Sequence, residues 1–105
     1  MTTFEDRETA FESKFAHDAE MQFKVEARRN KLLGLWIANL LGKTGEDAET
    51  YVKEVIRADF EEAGDEDVFR KVARDLEGRV DEAAIRKKMA TTLADAKSQI
   101  LAEID

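Results

Sequence analysis

Apolar residues recur at a helical period in four stretches of this chain, and a glycine stands in every gap between them. The first stretch starts near Ala19 and is anchored by Leu32, Leu33, Trp36, Ile37 and Leu40. The second carries Ala48, Tyr51, Val52, Val55, Ile56 and Phe60, and the third is short, with Val68, Phe69, Val72, Ala73 and Leu76. The fourth runs Ile85, Met89, Leu93, Ala96, Ile100, Leu101 and Ile104, a nearly unbroken i+4 ladder. Each stretch has one apolar face that needs a cover. The 105 residues include no proline, so nothing breaks these helices from inside. No strand-like alternation competes.

The breaks carry their own chemistry. Gly42 suits the left-handed position after a helix end, and Thr44 with Asp47 forms a capping-box-like pair. Gly64 stops the second helix and Asp65 caps the third. After Gly78, Asp81 caps the fourth, with Val80 and Ile85 placed for a hydrophobic staple. Helices joined by short turns predict an all-α fold, a small four-helix bundle over residues 19–105. A chain of this length forms one domain with one modest core.

Residues 1–18 stand apart as a flexible N-terminal arm. They carry five acids and two bases, and little apolar besides Phe4, Phe11, Phe15 and two alanines. Such a segment cannot bury enough surface to offset its ordering entropy. Roughly 15 residues also make only a marginal isolated helix. Yet positions 4, 11 and 15 share a narrow arc of a helix, and Thr2 with Glu5 offers a capping box. The arm therefore reads as a segment that frays when free and becomes continuous with the first bundle helix when a groove receives it. The competing reading packs the aromatic stripe back on the bundle.

Composition closes several function classes. Net charge is −7, and residues 46–67 alone hold ten acids against two bases, so the chain is a poor nucleic-acid binder. Without cysteine there is no thiol nucleophile and no Cys-based zinc site. The N-terminus lacks the basic and apolar regions of a signal peptide. The longest apolar stretch, Leu32 to Leu41, is too short to span a bilayer, which argues against direct membrane insertion. Gly42-Lys43-Thr44 is no phosphate loop, because position 37 is Ile and a helix precedes it. Glu61, Glu62, Asp65, Glu66 and Asp67 lack the spacing of a calcium loop and read as caps and a solvated face, with no metal. His17 is the only histidine and has no partner for acid–base work, so it reads as a surface residue at the arm's root. Trp36 reads as core or pocket edge. Arg28, Arg29 and Lys31 form a basic band, either a solvated face or a contact for a protein partner. No constellation supports catalysis, and no cofactor is implied.

Three runs carry a resemblance. They are Lys14-Phe15-Ala16-His17-Asp18-Ala19-Glu20, the run from Ala27-Arg28-Arg29-Asn30-Lys31 through Trp36 to Gly42-Lys43-Thr44-Gly45, and Asp59-Phe60-Glu61-Glu62-Ala63-Gly64-Asp65-Glu66-Asp67-Val68-Phe69. Together they resemble the zeta subunit of alphaproteobacterial F-type ATP synthases over essentially the whole chain. The resemblance implies a small, four-helix, non-catalytic regulator that suppresses ATP hydrolysis by the synthase's catalytic head. Its implied partners are the alpha, beta and gamma subunits. Its implied place is the cytoplasmic face of the inner membrane, reached through the synthase. The inhibitory part in that family is the N-terminal region, which wedges into a catalytic α/β interface near the rotor. By position this is Thr2 to about Ala19, including Phe4, Arg7, Phe11, Lys14, Phe15 and His17.

Magnitudes limit such a wedge. Burying three phenylalanines yields roughly 5–9 kcal/mol, while ordering about fifteen residues costs about 1–2 kcal/mol each. Charged contacts from Arg7, Glu8, Glu12 and Lys14 must therefore add to the stripe, and the bundle must raise the arm's effective concentration. The alternative reading is a helical module that binds ATP or ADP weakly on the bundle surface and senses energy charge. Saturable amide shifts around the first helix on adding nucleotide separate the two.

Overall fold

The computed structural model describes residues 4–61 and 64–104. Five helices form among them: α1 (Phe4–Phe15), α2 (Ala19–Leu40), α3 (Gly45–Ala58), α4 (Glu66–Asp75) and α5 (Glu82–Ile104). The described residues contain no strand. The four expected helices are joined by a fifth, built from the N-terminal segment. The Thr2–Glu5 capping pair lies outside what the structure describes, as does Glu62.

Two long helices organise the molecule. α2 (22 residues) and α5 (23 residues) pack along each other. α3 and α4 close over one half of this pair. There Leu33 and Ile37 meet Tyr51 and Val55 of α3, Val68 and Val72 of α4, and Ile85 and Met89 of α5. α4, with 10 residues, is about 15 Å long, whereas α5 is about 34 Å. The apolar ladder of α5 thus outruns its cover. α1 fills the remainder, where Phe11 joins Val25, Ala96, Ile100 and Leu101 in a second core cluster.

Local features set the geometry. Gly42 lies at φ 73° and closes α2 in a Schellman turn, with the Lys43 amide donating to the Ala38 carbonyl at 2.8 Å and the Gly42 amide to Asn39 at 3.1 Å. Gly34 allows α3 to approach α2, since a Cβ there would lie 3.1 Å from the Val52 Cα. Asp81 caps α5 as expected, accepting from the Ala84 amide at 2.8 Å. The other two expected caps are corrected. Thr44 occupies the N-cap of α3 but its side chain makes no capping bond. Asp65 makes none either, because its carboxylate turns to Arg29 at 3.0 Å.

Candidate functional site: the N-terminal helix and its bed

α1 begins as a polar segment and becomes a docked helix through one side chain. Phe11 has 0 % of its surface exposed. Phe15, one turn later, is half-buried, with ring centroids 5.1 Å apart at 49°. Phe15 packs on the same cluster, along with Met21, Leu32 and Leu93. Lys97 of α5 adds a charged clasp. It is only 13 % exposed, and its Nζ lies 2.9 Å from Glu12 and 3.8 Å from Glu8. Arg7, Lys14 and His17 face solvent, with Lys14 Nζ 5.3 Å from the Phe15 ring centre. The Phe4 backbone opens α1, and its side chain lies outside the described residues.

The flexible arm expected of residues 1–18 is corrected: α1 is a helix docked on the body, and in this docked state it is separate from α2. Ala16, His17 and Asp18 break the chain between α1 and α2. Asp18 is the N-cap of α2, its backbone extended, and its carboxylate accepts from the Met21 amide at 3.1 Å. The Phe15 carbonyl accepts from the Asp18 amide at 3.0 Å and from Gln22 Nε2 at 2.9 Å. An aspartate with capping geometry mid-run starts a new helix instead of extending an old one. Of the expected arm residues, Phe11, Phe15, Glu8 and Glu12 are brought together on one bed, while Arg7, Lys14 and His17 are not part of it.

This anchorage is thin. Full burial of Phe11 stabilises by about 1.5–3 kcal/mol and Phe15 by less. The clasp involves two carboxylates open to water, which limits it to roughly 1 kcal/mol.

The basic band is corrected as well. Arg28 Nη1 donates to Gln99 at 2.8 Å and its Nη2 to Glu103 at 2.7 Å, which ties α2 to α5. Arg29 is 1 % exposed and fully engaged inside the protein. Its Nε donates to Asn30 at 2.7 Å and its Nη2 to Asp65 at 3.0 Å, and Asn30 Nδ2 donates to Asp59 at 3.0 Å. Lys31 alone of the three is exposed. Arg28 and Lys31, three residues apart, share a face, while Arg29 points about 100° away from Arg28 and into the core. The buried network pins the connection between α3 and α4. Burial, Asp59 and Asp65 push the Glu26 carboxyl above its ordinary value, against the lowering effect of Arg29. A sequence signal for Arg29 exists in the i+4 series Val25, Arg29, Leu33, Ile37, which places it on the core stripe. Three members of the acidic run are likewise taken up by ion pairs. Asp65 meets Arg29, Asp67 meets Arg70, and Glu66 accepts both Arg86 guanidinium nitrogens at 2.9 and 3.2 Å. Among the described residues no acidic or histidine group is arranged to hold a metal ion, and no helix is long and apolar enough to cross a membrane.

Comparison with known proteins gives two findings. A family model described as ATPase inhibitor subunit zeta matches residues 1–99. A protein whose structure was solved by solution NMR is 58 % identical, with a TM-score of 0.73, covering 79 % of this chain and 98 % of its own. A search of the curated proteins finds no match.

Proposed function

The chain belongs to the ATPase inhibitor subunit zeta family, and from that premise we propose that it blocks ATP hydrolysis by an F-type ATP synthase by delivering α1 to a catalytic α/β interface near the rotor. The protein acts without catalysis of its own, at the cytoplasmic face of the inner membrane and through the synthase. Residues 1–18 are the inhibitory arm and residues 19–105 the body that carries it. The observation that supports this reading is the thin, separate docking of α1. Buried Phe11, half-buried Phe15 and one lysine clasp hold a helix that ends in a capped break.

The docked position sets the mechanism. Phe11 can engage a partner only after leaving Ala96, Ile100 and Leu101. Leaving costs little if a groove of similar character receives the same stripe, because one apolar contact replaces another. Glu8 and Glu12 exchange Lys97 for basic groups of the partner, and Arg7, Lys14 and His17 are already free to reach it. The docked state lowers the apparent affinity by the fraction of molecules with α1 released. Once seated, the helix stabilises one catalytic conformation against the rotary cycle. Folding upon binding then becomes transfer of a formed helix from one bed to another.

Adding the protein to an isolated catalytic head and following ATP hydrolysis tests the reading. The full chain inhibits, and a chain lacking residues 2–18 does not, even at concentrations that saturate the full chain. Full inhibition by the truncated chain contradicts the assignment. The truncated body also loses the cover over Val25, Ala96, Ile100 and Leu101, so its fold is checked by far-UV circular dichroism alongside.

A further inference from the structure

A trough lies between α2 and α3, closed at one side by the end of α5, on a face that α1 does not cover. Its volume is about 690 Å³. The floor and walls are Phe23, Leu35, Val52, Ile56 and Ile100. Large apolar groups face water here: Phe23 is 53 % exposed, and Phe60, 65 % exposed, stands beside it with ring centroids 5.9 Å apart. Phe60 follows the end of α3, next to Asp59, which accepts from the buried Asn30. An exposed aromatic pair at the head of an apolar trough is an interaction surface, not a scatter of surface side chains.

The rim decides what fits. Lys24, Arg28, Lys31 and Lys53 stand around it against Glu49 and Glu103. Arg28 and Glu103 neutralise each other at 2.7 Å, and Lys24 lies 4.0 Å from Glu20. Lys31 and Lys53 make no ion pair with any described residue. A positive rim on a chain of net charge −7 runs against the general surface, so it selects for acidic partners. The length selects for a helix. From Phe23 to Leu35 the trough extends roughly 18 Å along α2, about three helical turns.

We propose that this trough docks an acidic amphipathic helix on the surface of the protein that the chain inhibits, with apolar side chains on Val52 and Ile56 and carboxylates on Lys31 and Lys53. The identity of the helix's owner rests on the inhibitory reading above; the chemistry of the trough does not. Docking of the body here keeps α1 close to its target, as a second foothold that raises local concentration. Ile100 belongs both to the trough wall and to the bed of Phe11, so the two contacts meet at one side chain.

The test compares the full chain with its K31E/K53E variant, both substitutions being on exposed side chains. With the isolated catalytic head, the variant should need about tenfold more protein for half-inhibition and show a weaker salt dependence, with the same maximal inhibition. Equal half-inhibition overturns the trough and leaves the inhibitory function standing. A wild-type chain that does not inhibit removes that function, and a second measurement then judges the trough. A helical Leu/Glu heptad peptide is titrated into the labelled full chain, with a Leu/Lys heptad peptide as control. Shifts confined to Phe23, Leu35, Val52 and Ile56, present with Leu/Glu, absent with Leu/Lys and lost in K31E/K53E, support the proposal. No shift, or equal shifts with both peptides, contradicts it. So does displacement of the peptide by ATP, which assigns the trough to nucleotide, or a concentration-dependent dimer that K31E/K53E dissolves, which assigns it to a second copy.

Discussion

Tyr51 shows how a single buried polar group reports on the whole fold. Its hydroxyl donates to Asp75 at 2.7 Å, Lys71 bonds the same carboxylate at 3.0 Å, and Lys71 Nζ lies 5.1 Å from the tyrosine ring centre. Burial first, and then Asp75, raise the phenol's pKa far above its ordinary 10.0. The folded state thus keeps a proton that the unfolded state gives up, so this group's contribution to stability is complete below pH 10 and declines as the pH rises further. Tyr51 is the only tyrosine, so its ultraviolet titration is unambiguous. Tyrosinate should form only as helical circular dichroism is lost; an ordinary titration in a protein still fully helical contradicts the buried hydrogen bond. Arg29 marks the limit of what single residues disclose. Its place in the Val25–Ile37 stripe was legible as a core position, but its partners Asp59 and Asp65 lie 30 and 36 residues on, and periodicity carries no information about which distant carboxylate meets it.

α1 is where element-scale reasoning meets tertiary structure. Residues 1–18 read as an arm that frays when free, but α1 is a helix with Phe11 and Phe15 turned to one bed, as the competing reading of the stripe has it. What the stripe covers follows from lengths, since α5 continues well past the end of α4 and needs a second cover. The α5 ladder was visible in the sequence, while the uncovered half emerges only when the helices are assembled. The glycine breaks and Asp81 were readable because turn and cap chemistry is local. Asp65 departs from the expected cap because a side chain's choice between its own helix and a distant arginine is not local, and Thr44 holds the N-cap position without a side-chain bond. Replacing Phe11 by alanine tests how α1 is held. The cavity cost is limited to the free energy that docks α1, because the helix can detach and leave the other four together. Global stability in urea should therefore fall by no more than about 3 kcal/mol, and amide protection should vanish in α1 while persisting in α4. Uniform loss of protection across α1, α3 and α4 contradicts a separable helix.

Over the whole molecule, the proposed function draws on two apolar surfaces in different states. One, the bed of α1, is filled by the chain itself; the other, the trough beside it, stands open. Acidic residues elsewhere are tied to Arg29, Arg70 and Arg86, which holds the body together around the α3–α4 connection. In the proposed mechanism the body is the fixed part and α1 the part that moves. In that mechanism α1 must leave α5 before the protein inhibits. Glu12→Cys with Lys97→Cys places the only two thiols of the chain on either side of that contact, where a short reducible bis-maleimide can join them. ATP hydrolysis by the catalytic head is then measured with the joined protein before and after reduction. The account predicts no inhibition while the helices are linked and full recovery of inhibition once the linker is cut; equal inhibition by the linked and the cut protein contradicts it.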